Sequence, residues 1–123
     1  MAEGKFATSV SCMDGRIQSP LVQWIKKNHP IDFVDVITEP GIDKKISEDS
    51  SLNSIRAKIE ISINAHKSKL IVVSGHYDCA GNPVSDGEHI SQIKKGVEII
   101  SSWNLGVNVI GIWVDNSWNP NLV

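Results

Sequence analysis

Apolar and polar positions alternate along the chain in two different periods. Lys5 to Ser11, Phe33 to Thr38, Leu70 to Ser74 and Val107 to Val114 are short runs rich in β-branched residues, with the length and composition of strands. The third run, Leu70-Ile71-Val72-Val73, is uninterrupted apolar, as expected of a strand covered on both faces.

The segments between them carry helical spacing. Ser19-Pro20 opens the first with a capping residue and a proline in the first turn, and Leu21, Trp24 and Ile25 form one stripe that ends before His29-Pro30. Ser50 or Ser51 caps the second, where Leu52, Ile55, Ile59 and Ile63 fall three or four residues apart. The third spans Asp86 to Trp103, with Ile90, Ile93, Val97 and Ile100 on one side.

Strands alternating with helices, with connections too long for hairpins, predict an α/β fold. The expectation is a single three-layer domain over residues 1–123, with a mostly parallel four-stranded sheet flanked by helices and right-handed crossovers. The order 2-1-3-4 sets strands one and three side by side with their following loops diverging, and such switch points bind ligands at the carboxyl ends of strands.

Composition narrows the partners. A chain of 123 residues with 41% hydrophobic and 21% charged residues is of ordinary globular type, and a net charge of -2 argues against nucleic acid. The lysine pairs Lys26-Lys27, Lys44-Lys45 and Lys94-Lys95 read as solvated faces. No apolar stretch has spanning length and the first residues lack a secretory pattern, so a cytoplasmic protein with no membrane partner is expected. Two cysteines in a reducing compartment are more often reactive or metal-binding than bridged.

Cys12 closely follows the first strand, and His76 and Cys79 the third. Two thiolates and an imidazole match zinc's preferences, and three protein ligands leave a fourth tetrahedral position open. The competing readings are two buried reduced cysteines beside an incidental histidine, or a redox pair, although a dithiol site normally appears as Cys-x-x-Cys. A phosphate-cradling Cys loop is rejected, because Arg16 follows Cys12 too soon and Gln18 stands where the arginine is needed.

The motif Cys12-x-Asp14-x-Arg16, followed some sixty residues later by Gly75-His76-x-x-Cys79, resembles the β-class carbonic anhydrases, and the similarity continues through Ser51-Leu52 and Leu70 to Ser74. The resemblance implies that Cys12, His76 and Cys79 bind Zn2+ and that Asp14 and Arg16 form a catalytic dyad. It implies reversible hydration of carbon dioxide to bicarbonate by a metal-bound hydroxide that the dyad orients. An arginine fork would hold Asp14 as a hydrogen-bond acceptor, whereas Asp14 swung onto the metal would be the fourth ligand of a resting state. It also implies a homodimer or higher homo-oligomer acting on a small molecule. The alternatives are a zinc-binding domain without hydratase activity, serving binding or regulation, and a hydrolase of a related molecule such as carbon disulfide.

The chain departs from that family's pattern in places. The Arg-Asn-Ala-Gly segment after strand two reads Thr38-Glu39-Pro40-Gly41, and Cys-Gly after the last ligand reads Cys79-Ala80-Gly81. Gly75 and Gly81 are expected to let the backbone turn around the metal. Tyr77 and Asp78 either orient His76 or are exposed loop residues. His29, His66 and His89 are expected at the surface, and Trp113 and Trp118 in the core or at a subunit contact.

Overall fold

The computed structural model describes residues 3–48 and 52–123. Four parallel strands form the body of the sheet: β1 (Phe6–Ser11), β2 (Phe33–Thr38), β3 (Leu70–His76) and β4 (Asn108–Val114). Their order is 2-1-3-4, as expected, and β5 (Pro120–Leu122) adds an antiparallel edge beside β4. Sequence reading missed β5 because Pro-Asn-Leu has no apolar alternation. Its strand character comes from pairing with β4, and a proline is tolerated at a sheet edge.

β1 and β3 are buried along their whole length because helices cover both faces. Leu70 and Val72 pack with Ile17, Leu21 and Ile25 of α1 (Gly15–Asn28) on one face. Ile71 and Val73 pack on the other with Ile46 of α2 (Ile42–Ser47), Ile55 and Ile59 of α3 (Leu52–His66), and Ile100 of α4 (Asp86–Ser101). Two cores on opposite sides of one strand explain the uninterrupted apolar run. β1 also buries the polar Thr8, Ser9 and Ser11, and the Thr8 hydroxyl meets Ser62 of α3 at 2.7 Å and donates to Ser68 at 2.8 Å.

Several boundaries differ from the sequence reading. β3 continues to His76, so the histidine ends the strand instead of following it. α1 starts four residues earlier than Ser19, at Gly15, and Pro20 lies inside it. Asp14 caps that helix through its carboxylate, which accepts the Arg16 N–H at 2.9 Å, and Ile17 lengthens the apolar stripe by one turn. Pro20 forgoes one intrahelical bond, a loss the buried stripe outweighs. α2 was not foreseen, since one and a half turns after Pro40-Gly41 carry too little periodicity. Ser50 and Ser51, expected to cap the next helix, lie outside the described residues.

Candidate metal centre

The centre forms where β1 and β3 end side by side. β1 delivers Cys12 just before the cap of α1, β3 delivers His76 as its last residue, and the turn after β3 carries Cys79. All three are buried. Among the described residues they are the one cluster of three such donors close enough to share a metal ion, with donor atoms within 4.8 Å of one another.

The sulfurs stand 3.9 Å apart and both cysteines are free. Two ligands of a tetrahedral zinc with Zn–S bonds of about 2.3 Å would be ~3.8 Å apart, whereas a disulfide needs about 2.05 Å. The spacing therefore fits metal ligands and excludes a formed bridge.

Hydrogen bonds around the cluster aim its donor atoms. His76 Nδ1 lies 2.7 Å from the Tyr77 carbonyl, the geometry of a donated N–H, which leaves the Nε2 lone pair free. That Nε2 is buried with no hydrogen-bond partner, the condition expected of a ligand nitrogen awaiting a cation. The backbone groups of Gly41 and Asp14 favour the Cys12 thiolate, and that of Asn82 acts likewise on Cys79. Cys12 has its pKa lowered to about 4, first by the thiol hydrogen bond from Cys79 and then, against burial, by His76 and the two backbone donors. Donating that bond, together with burial, raises Cys79. Burial pulls the imidazole of His76 down, but the neighbouring Cys12 sulfur and the Tyr77 carbonyl outweigh it and hold the ring above its ordinary value. A dication held between the two sulfurs would favour both as thiolates.

Asp14 and Arg16 flank the cluster as a forked pair. Arg16 Nε donates to Asp14 Oδ1 at 3.0 Å and Nη2 to Oδ2 at 2.7 Å. This fork is the main cause that lowers the Asp14 pKa to about 2 and raises that of Arg16. The carboxylate is therefore ionised and turned toward the guanidinium.

Other expectations are corrected by what surrounds the loop. His89 is not at the surface: it is buried in α4, with Nδ1 2.5 Å from Asp43 Oδ2 and its ring 5.2 Å from that of Trp113. Asn82 joins them, donating from Nδ2 to Asp43 at 3.1 Å and to Gln92 at 2.6 Å, while its backbone N–H holds the Cys79 carbonyl at 3.2 Å. Gly75 is needed for space, not for a turn, because a Cβ there would stand 2.5 Å from Asp43 Oδ2. Gly81 likewise packs its backbone against Gly41, a left-handed residue at φ 58°. His66 is half-buried, 2.7 Å from Asp35 and stacked on Phe6, so it too has partners. Lys45 is not simply solvated, as it donates to Glu39 at 2.8 Å.

Trp113 belongs to the core, and Trp118 lies over Arg16. Gln18, which had served only to exclude a phosphate loop, clasps the Cys12 loop by donating to the carbonyls of Cys12 at 2.8 Å and Asp14 at 3.1 Å. Its place one turn into α1 was the available signal, and it became readable only with the helix start at Gly15.

Comparison with known proteins agrees with this fold. Residues 2–123 match the family model described as "Putative carbonic anhydrase". The β-carbonic anhydrase CafA of Aspergillus fumigatus superposes with a TM-score of 0.61 at 16% identity, over 95% of this chain and 74% of that one. A structure of tetrameric β-carbonic anhydrases from Sordaria macrospora gives 0.56 at 15% identity, over 95% and 79%. No curated protein matches the sequence significantly. Among the described residues no helix is long and apolar enough to cross a membrane.

Proposed function

The chain belongs to the carbonic anhydrase family, and we propose that it is a zinc enzyme of that family, hydrating carbon dioxide reversibly to bicarbonate. Residues 1–123 act as one zinc domain, with Cys12, His76 and Cys79 as the ligands and Asp14 and Arg16 as the catalytic dyad. The observation that carries the reading is the sulfur pair at 3.9 Å beside a buried, unpartnered His76 Nε2.

A bound zinc supplies Lewis acidity that makes water a usable nucleophile near neutral pH. The protein's own groups supply the rest. Two thiolates balance the ion's charge, which makes a nearby hydrogen-bond acceptor more useful for drawing off a proton. Asp14 is that acceptor: Oδ1 is taken up by the Arg16 N–H and Nε, while Oδ2 receives only Nη2 and keeps a lone pair. Arg16 fixes the plane of the carboxylate, so the acceptor's direction is set before substrate arrives. If Asp14 leaves Arg16 and takes the fourth position, the site closes into a resting state.

The subunit is expected to assemble with copies of itself. β2 is an outer strand of the sheet and exposes Phe33 and Val36, a surface that a second copy would cover. The fungal relative described as tetrameric is consistent with that assembly. A pair of reduced cysteines suits the cytoplasm.

Elemental analysis combined with stopped-flow hydration of carbon dioxide tests the reading. The expected result is one zinc per chain and turnover that is lost in Asp14→Ala and Arg16→Ala. Zinc without turnover would assign the site to a binding module, and absence of metal would overturn the ligand set.

A further inference from the structure

The dyad is held from a direction that the motif does not contain. Arg16 Nη2 donates to the Asp78 carbonyl at 3.1 Å and Nη1 to the Asp78 carboxylate at 3.2 Å. The guanidinium face is covered by the ring of Trp118, with Cζ 4.4 Å from the ring centroid. Tyr77 meets the same indole edge-on at 6.5 Å.

Both residues that grip Arg16 have left-handed backbones, Asp78 at φ 58° and Trp118 at φ 60°. Aspartate tolerates that region, but a bulky tryptophan there is an outlier. The turn between β4 and β5 enforces it. Asp115 Oδ1 accepts the N–H groups of Ser117 at 2.9 Å and Asn119 at 3.0 Å, and the Asp115 carbonyl accepts that of Trp118 at 2.9 Å. Glycine or asparagine would satisfy this backbone without strain, so the turn itself does not require an indole. What the indole adds is packing against the core on the α1 side of the sheet and the contact with Arg16. Strain kept at a residue that touches a catalytic pair points to a positioning role.

We propose that Trp118 is a positioning residue for the dyad: its ring pins the Arg16 guanidinium in the plane that holds both oxygens of Asp14, and so keeps Asp14 from the fourth position of the metal. This rests on the zinc reading given above. The arginine side chain is 46% exposed. A solvent-exposed ion pair alone holds two flexible side chains weakly, and an aromatic face over the cation restricts it without competing for Asp14.

The test uses the full chain with Trp118→Gly, which relaxes the left-handed position, Trp118→Leu, which keeps apolar volume, and Trp118→Phe, which keeps a π face. Hydrogen exchange at Arg16 Nε–H, followed by NMR, should quicken about two- to fivefold in the Gly and Leu variants and largely recover in Phe. Each protein is also loaded with cobalt(II) alone as the optical probe. The visible bands should shift in Trp118→Gly as the carboxylate joins the metal, and should not shift when the same change is made in an Asp14→Ala background. Unchanged exchange and unchanged bands in the Gly and Leu variants would overturn the role of Trp118 while leaving the metal site standing. Absence of thiolate-to-cobalt charge transfer in the unmodified protein would overturn the zinc reading and this proposal together.

Discussion

Asp14 and Arg16 meet twice: the carboxylate accepts the Arg16 side chain through a fork at 2.7 and 3.0 Å and the Arg16 backbone N–H at 2.9 Å. One side chain is thus both the cap of α1 and the acceptor of the proposed dyad. The two duties can be separated. Asp14→Ala should lose a cap, costing about 1 kcal/mol of stability, and hydration should fall on the order of 10²-fold as the acceptor disappears. Asp14→Ser keeps a capping oxygen, so it should melt close to the unmodified protein yet hydrate as poorly as the alanine variant. Thermal melts set beside stopped-flow rates check this, and a serine variant with full activity would remove Asp14 from the dyad.

Metal binding should stabilise the fold, because the three donors are in register only in the folded chain. Free zinc at a hundred times its dissociation constant adds about 2.7 kcal/mol. A chelator should lower the melting temperature of the unmodified protein and leave Cys79→Ser almost unmoved. Equal responses in the two proteins would place the zinc elsewhere.

The buried Asp43, His89 and Asn82 group should matter to the metal loop through packing. His89→Leu strips the Asp43 carboxylate of its imidazole partner, and leaving a buried polar group unsatisfied costs roughly 1–3 kcal/mol. Gly75→Ala forces a Cβ against the same carboxylate, and overpacking of this kind costs about 1–3 kcal/mol. Both should also weaken zinc, since Asn82 ties the group to Cys79 and Gly75 adjoins His76. Urea titration and competitive zinc binding measure the two effects; normal affinity in both variants would confine the group to the core.

Acid should weaken the fold through specific carboxylates. Hydrogen bonds from Asn121 and then from the backbone of Asn119 and Ser117 lower Asp115 below its ordinary 3.8. The bond from Lys45 lowers Glu39 below 4.5. A carboxylate with a lowered folded-state pKa binds fewer protons folded than unfolded. Its stabilisation is complete above the ordinary pKa and disappears as pH falls through the folded value. Urea midpoints should therefore be level from about pH 6 to pH 5 and decline toward about pH 2. Asp115→Asn and Glu39→Gln should each flatten the decline, and an unchanged slope in both would assign acid sensitivity to other groups.

The sequence by itself determined the strands, the alternation with helices, the sheet order through β4 and the spacing that carries Cys12, Asp14, Arg16, His76 and Cys79. Those signals are local: side chains repeat every two residues in a strand and every three or four in a helix, and burial writes that period into the chain. Only the tertiary structure decided where α1 begins, because a carboxylate cap at Asp14 outranked the Ser19-Pro20 signal once Ile17 found the core. It alone decided that His89 is buried, since its partner Asp43 lies on a helix too short to read. It also decided that β5 is a strand, through its pairing with β4, and that Trp118 covers Arg16 from the opposite end of the chain, and no local period encodes either contact. Such pairings depend on how the folded backbone closes on itself and on which buried polar atoms then need partners, and neither is written in neighbouring residues.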